Sequence, residues 1–332
     1  MKWLKWAGLP VGIALLIAVV VHEGAGDVMQ AIRAAGWTLL WLVPFHALPL
    51  LLDAYAWQLL LERRIALPFL WWCATVREAV SRLLPSVGVG GEIVGIRLAG
   101  WKCPDMSRVS ATVIIEVLVT IAVQYAFSAL GLVLIVAATH QAGALHTIGL
   151  ALLLSLPLPA LAVVLVRRGG FFSFIEKWAG KLLGSKSPLG VDAARLDADL
   201  DALMRRNGLL LQVFLWQFAG YALGAFETWW ALELLGHPVS ASGALAIEAL
   251  TQAVRHAAFM IPGGLGVQEA TVVLLAQFFG VDRETALSLA LVKRMREIVF
   301  GCLALASWQM VEMLRGRREY GGAGGNRTRV RK

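Results

Sequence analysis

Several apolar runs in this chain reach 18 residues or more, and a soluble fold has nowhere to hide them. A helix of about 20 such residues crosses the hydrocarbon layer of a bilayer. Composition points the same way. Of 332 residues, 58% are hydrophobic and the mean hydropathy is +0.70, far above ordinary globular usage. The chain reads as an all-α polytopic membrane protein. A β-barrel is excluded because no series of ten-residue alternating segments occurs. The first run follows Met1-Lys-Trp-Leu-Lys5 without an Ala-x-Ala-like site, so it reads as an uncleaved anchor.

Full crossings are expected at about 6–21, 37–60, 108–138, 147–166, 208–235 and 285–314. Two apolar segments remain, 68–100 and 242–280, and each is cut near its middle by the same frame. Pro85-Ser-Val-Gly-Val-Gly-Gly-Glu92 interrupts the first, and Pro262-Gly-Gly-Leu-Gly-Val-Gln-Glu269 the second. The legs after each cut are short for a crossing. Both segments therefore read as re-entrant helical hairpins, whose broken backbone must be buried in protein or line a wet cavity.

Charge orients the layout. Segments assigned inside hold 21 Lys and Arg, whereas the outer ones hold only Arg33 and Arg283. This places both termini inside. Three crossings separate the hairpins, so the first enters from the cytoplasm and the second from outside. The halves, about 37–138 and 208–314, then form an inverted-topology repeat, an architecture of alternating-access transporters. Chance recurrence in a Gly-rich chain is the competing explanation. Residues 1–315 form one integral membrane domain. The cytoplasmic loop 167–207 holds an amphipathic stretch from Phe171 to Leu183 that suits either an interfacial helix or one packed on the bundle. It also holds a solvated helix over 192–206. Residues 316–332 read as a flexible basic tail that touches anionic lipid or nothing.

Ionisable groups inside a bilayer are costly, so each is a candidate site residue. In the first half these are Asp53, Arg77, Glu78, Arg82, Glu92, Arg97 and Glu116. In the second they are Glu227, Glu233, Glu248, Arg255, His256, Glu269, Lys293, Arg294, Arg296 and Glu297. A substrate site is assigned to Pro85, Gly88, Gly90, Gly91, Glu92, Arg255, Pro262, Gly263, Gly264, Gly266, Glu269, Lys293, Arg294, Arg296 and Glu297. Asp53, Glu116 and Glu227 supply coupling protons or polar lining.

Two readings of Glu92 and Glu269 stay open: a cap on the half-helix that follows, or a group that handles substrate or protons. Lys293 and Glu297 stand at i,i+4 and pair on one helix face. Three cations against one anion leave a positive patch that suits a phosphate, or the cations pair with Glu269 or Glu248 to fix packing. His46 reads as a hydrogen-bonded structural residue.

No catalytic signature of a soluble enzyme occurs, and no metal or cofactor motif. Cys73, Cys103 and Cys302 have no metal or disulfide spacing and read as small apolar packers. The net charge of +8 fits cytoplasmic loops at anionic lipid rather than nucleic acid.

Three segments carry a family resemblance: Glu78-Ala-Val-Ser-Arg-Leu-Leu-Pro-Ser-Val-Gly-Val-Gly-Gly-Glu92, Ile261-Pro-Gly-Gly-Leu-Gly-Val-Gln-Glu269 and Leu291-Val-Lys-Arg-Met-Arg-Glu297. Through them the chain resembles the lysylphosphatidylglycerol-synthase transmembrane, or flippase-like, superfamily, and within it the branch associated with hopanoid biosynthesis. The resemblance covers roughly residues 1–315. It implies residence in a bacterial inner membrane, membrane lipids as partners, and a role in moving or exporting a lipid. It gives no support for aminoacyl transfer, because no large soluble domain follows the membrane part. The alternatives are a non-transporting scaffold for lipid-biosynthesis enzymes, or an intramembrane enzyme acting on a lipid headgroup.

The charge bias makes a direct prediction. A fluorescent reporter that matures only in the cytoplasm, fused after Lys332, gives signal. A phosphatase active only outside the inner membrane, inserted at 141, is active. The reverse pattern overturns the orientation.

Overall fold

The computed structural model describes residues 36–84, 90–139, 149–150, 153, 156–170, 192–257 and 267–324. No strand occurs among them. After a 3₁₀ turn at Trp37–Trp41 the helices are α1 Leu42–Phe45, α2 Ala47–Leu60, α3 Leu67–Leu83, α4 Gly90–Ala99, α5 Met106–Thr139, α6 Pro157–Arg167, α7 Ala193–Met204, α8 Asn207–Leu234, α9 Ala241–Ala257, α10 Val267–Gln277 and α11 Arg283–Gly324.

Four stretches are long and apolar enough to cross a membrane: Thr38–Leu60, Met106–Ala138, Asn207–Leu234 and Arg283–Arg315. They coincide with four of the expected crossings. In the most apolar window of each, only 22–28% is buried within the protein. Large apolar side chains such as Val133, Leu211, Leu274 and Leu303 face outward, as they do where the solvent is lipid. The first stretch is interrupted at His46, because Pro44 and Pro49 remove two N–H groups from its helical ladder.

The expected crossing at 6–21 and the amphipathic stretch 171–183 lie outside the described residues, as does part of 147–166. The last residues of each Pro–Gly frame open a helix, and the rest of each frame lies outside the described residues. α3 ends at Leu83 and α4 begins at Gly90; α9 ends at Ala257 and α10 begins at Val267.

α4 lies back against α3, and glycine allows the closeness. A Cβ on Gly91 would run into the Arg77 carbonyl and Ser81, and one on Gly95 would sit 2.5 Å from Cδ of Arg77. Small residues at i and i+4 let two helix backbones approach in this way. α9 and α10 form the corresponding second pair.

The two pairs are not packed only within their own halves. α3 packs on α11, α9 packs on α5, and α2 packs on α8. Two apolar cores result. One gathers Leu232, Ile247, Leu250, Val272, Leu289 and Met295; the other gathers Trp57, Leu70, Val76, Leu98, Val109 and Ile298. α11 belongs to the first core up to Met295 and to the second from Ile298 onward. Cys73 and Cys103 are buried in the second core, as small apolar packers.

Two expectations change. The segment 192–206 is not simply solvated. Asp192 caps α7 by accepting from the N–H groups of Ala194 and Arg195, and Leu196, Leu200 and Leu203 are buried in an apolar cluster with Ala111 and Ile115 of α5. The periodic leucines set the buried face, and Asp199 beside them accepts from Ser107 of α5 at 2.8 Å. The last helix also runs on to Gly324, into the segment expected to be a flexible tail.

The α2–α3 turn places Glu62 and Arg63 at positive φ. Glu62 accepts from Arg108 at 3.0 Å and Arg206 at 2.7 Å. Slight burial raises its carboxyl, but these guanidinium groups and Arg64 outweigh it and hold the group below its ordinary range. At the start of α11, the Thr285 backbone N–H holds Asp282 low in the same way.

Gly91→Val forces α4 off α3 and lowers the unfolding midpoint in detergent, by an overpacking cost of about 1–3 kcal/mol. Gly208→Ala, whose Cβ meets nothing within 4 Å, leaves the midpoint in place. Equal midpoints for the two variants would contradict the close approach.

Candidate functional site

The turn of α11 between the two apolar cores carries Lys293, Arg294, Arg296 and Glu297, all 5–7% exposed. At ~1.5 Å rise per residue these lie about 15–21 Å along the stretch that starts at Arg283. That is near the middle of the stretch Arg283–Arg315, whose length exceeds a hydrocarbon layer of ~30 Å. Charge there must be met by charge.

Glu297 is the meeting point. Arg82 of α3 donates to its Oε1 at 2.9 Å. Gln268 of α10 donates to the same oxygen at 3.4 Å. Arg296 stands 3.5 Å from it and Arg255 of α9 stands 4.0 Å away. Arg294 donates to the other oxygen at 3.3 Å. Both broken helix pairs thus send an arginine toward one carboxylate.

A second chain of contacts passes through His46. Its Nε2 lies 2.9 Å from Glu78, which also pairs with Arg82 at 3.3 Å. With Nε2–H donating to Glu78, Nδ1 is an acceptor, and Arg296 meets it there. Glu227 of α8 lies 3.1 Å from that nitrogen and 2.8 Å from Nε of Arg296, an ion pair without hydrogen-bond alignment. The ring packs edge-on against Phe300.

Lys293 pairs with Glu248 of α9, which also accepts from Thr228 at 2.6 Å and Gln252 at 2.8 Å. Of the two expectations for Lys293, the pairing with Glu248 holds and the i,i+4 pairing with Glu297 does not: Lys293 reaches across to the neighbouring helix, and Glu297 is taken by arginines. One carboxylate cannot serve that many cations, so the lysine finds its own.

In the first half, Nη1 of Arg77 donates to both oxygens of Glu116 at 3.0 Å each, and its Nη2 donates to Glu92. Its guanidinium stands 4.8 Å from the centroid of the Trp57 ring. Glu92 sits in the first turn of α4, where an acid suits the helix dipole. The side chain faces Arg77, a partner not foreseen from the sequence. Asp53 accepts from Gln217 at 3.4 Å.

Gly90 and Gly91 open α4. Pro85, Gly88, Pro262, Gly263, Gly264 and Gly266 lie outside the described residues. Glu269 is in α10, and its side chain is not among those described.

A small polar recess lies beside Glu297, lined by Glu248, Thr251, Arg255, Gln268, Lys293 and Arg296 among others, with a cavity volume of about 10 Å³, the size that holds a single water. Thr251 and Gln268 are uncharged and gave no signal against an apolar background. No group of His, Cys, Asp and Glu with metal-holding geometry occurs among the described residues.

Residues 5–304 match the family described as the lysylphosphatidylglycerol synthase TM region. The chain belongs to that family. It is a membrane protein with several apolar helices, in agreement with the four long stretches above. No curated protein and no solved structure matches it.

The network makes a graded prediction. Glu297→Gln leaves buried guanidinium groups without their anion and costs about 3–5 kcal/mol of stability. Glu312→Gln breaks an exposed pair with Arg97 (2.7 Å) and costs ~0–1 kcal/mol. Thermal unfolding in detergent separates the two, and equal midpoints would sink the central role of Glu297.

Proposed function

We propose that this protein is a flippase-like lipid transporter of a bacterial inner membrane, without enzymatic activity, whose partners are membrane lipids. The observation that carries the reading is the convergence of Arg82 and Arg255, one from each broken helix pair, on buried Glu297 at mid-span. Ionisable groups at that depth mark substrate or ion pathways. Discontinuous helices meeting near the midplane are the usual transporter site.

The two halves are read as an inverted repeat. Supporting this, three main contacts correspond when the halves are exchanged: α3 rests on the last long helix of the other half, α9 does the same, and α2 pairs with its counterpart α8. The family description supports a tie to lipid metabolism or transport. The cargo is a lipid with a polar head, a hopanoid derivative or a phospholipid. The head would sit among the charged groups while its chains stay in the bilayer. Rocking of one half against the other would alternate access.

Purified protein in liposomes carrying fluorescent lipid tests this. Exchange between leaflets runs faster than in protein-free liposomes, and Arg255→Gln slows it. A rate equal to that of empty liposomes defeats the proposal.

A further inference from the structure

Of the three carboxyls read from the sequence as proton carriers or polar lining, two are matched by cations. Nη1 of Arg77 serves both oxygens of Glu116. Glu227 lies 2.8 Å from Nε of Arg296. Glu78, Glu92, Glu248 and Glu297 also have ion pairs. Asp53 has none among the described residues. Its hydrogen-bond partner there is Gln217 of α8, whose Nε2 donates to Oδ1 at 3.4 Å. Asp53 stands seven residues before Leu60, the end of its stretch, about 10 Å into the span at ~1.5 Å per residue.

The one cation within electrostatic reach is Arg77, and it is already spent. Glu116 takes two of its hydrogen bonds, Glu92 a third, and Trp57 covers one face. The other titratable groups around Asp53 are Glu78 of α3, Glu92 of α4, Glu116 of α5 and the Tyr221 phenol of α8. Each is an acid, so none supplies positive charge. α1, which also packs on α2, carries no ionisable residue, and His46 beyond it is engaged by Glu78 and Glu227. One guanidinium therefore faces three carboxyls, Asp53, Glu92 and Glu116.

The amide has a deficit of its own. Gln217 is 1% exposed, and its Oε1 has no hydrogen-bond partner among the described residues. A buried acceptor without a donor carries a desolvation penalty. A carboxylate in an apolar setting without a cation carries a larger one, and such a group takes up a proton instead. A neutral carboxyl brings the missing donor. Its O–H donates to Oε1 while Nε2 donates to its other oxygen, so acid and amide bond in both directions. One proton meets both deficits, and it needs no cavity. The helices leave none close by: a Cβ at Gly220, one turn along α8 from Gln217, would stand 3.3 Å from the Pro49 carbonyl of α2.

We infer that Asp53 is a proton-binding site, held here as the neutral acid by Gln217, and that it gives its proton to water when the α2–α8 contact opens. Release leaves a carboxylate and a hydronium ion, so no further reactant is needed. Asp53 is partly exposed, which gives the proton a way out. α2 belongs to the first half and α8 to the second, so rocking of the halves acts directly on this bond. Glu116 and Glu227 keep their charge as the partners of Arg77 and Arg296. Use of the proton to drive transport rests on the transport reading; the site itself does not.

Infrared spectroscopy of the full chain in detergent tests the site. At neutral pH the parent shows the carbonyl stretch of a protonated carboxyl, and Asp53→Asn loses it. Gln217→Leu shifts it upward, as a carboxyl does on losing hydrogen bonds. Asp53→Asn keeps the parent's unfolding midpoint, because asparagine is neutral and reproduces both hydrogen bonds. Glu116→Gln lowers the midpoint, because it leaves Arg77 short of its anion. An acid band unchanged in Asp53→Asn overturns the inference, as does a midpoint that falls as far in Asp53→Asn as in Glu116→Gln.

Liposomes separate the site from its use. A pH difference across the membrane speeds leaflet exchange of fluorescent lipid, and Asp53→Asn loses that response. Exchange by the parent that is indifferent to the pH difference overturns the release step. The acid band without any leaflet exchange defeats the transport reading and leaves the proton site. Leaflet exchange without the acid band does the opposite.

Discussion

The interior of this protein is organised by the expense of an unneutralised charge at mid-depth. Isolated ions in a low-dielectric interior are prohibitive, and removing one partner from a buried pair costs more than the pair contributes. The network around Glu297 meets that condition with groups from α3, α8, α9 and α11 and from His46. Any of these helices that moved alone would strand a charge. The apolar cores on either side hold each broken pair together, but the ionic contacts fix how α11 sits between them.

The distribution of polarity follows from the surroundings. The long helices present leucine, valine and tryptophan outward and keep arginine and glutamate inside. Lipid offers no hydrogen bonds, so helices that face it satisfy their backbone internally. Association between them then rests on close packing and interior polar contacts. Gly91 and Gly95 against Arg77 show both at one contact: the missing side chains create the room, and an arginine fills it.

Much of this was legible in the sequence because hydropathy and charge are strong, local signals. The four long stretches fall within a few residues of the expected crossings, and the last residues of both Pro–Gly frames open helices. Buried Arg77, Glu116, Lys293 and Glu297 stood out as charges in apolar runs. Glu248 was foreseen as a partner for these cations, and Lys293 takes it; the other partners did not stand out, because pairing is a tertiary property. Lys293 and Glu297 have favourable helical spacing, yet each is claimed from another helix. His46 gave no sign of joining Glu78 to Glu227, which are 32 and 181 residues away in sequence. Thr251 and Gln268 carry no charge and match no motif. Only their burial beside an arginine sets them apart. The leucines of α7 had helical spacing throughout, and the aspartates between them obscured the buried face.

The geometry at Glu297 has a mechanical consequence. Arg82 and Arg255 come from opposite helix pairs and address the same oxygen, one at 2.9 Å and the other at 4.0 Å. That oxygen cannot bind both fully while Gln268 and Arg296 also crowd it. Tightening one contact loosens the other, so the two sides behave as rivals for a single anchor. Whichever helix pair holds that oxygen closely leaves the other with the longer contact, so the two pairs are coupled through one atom without touching each other there.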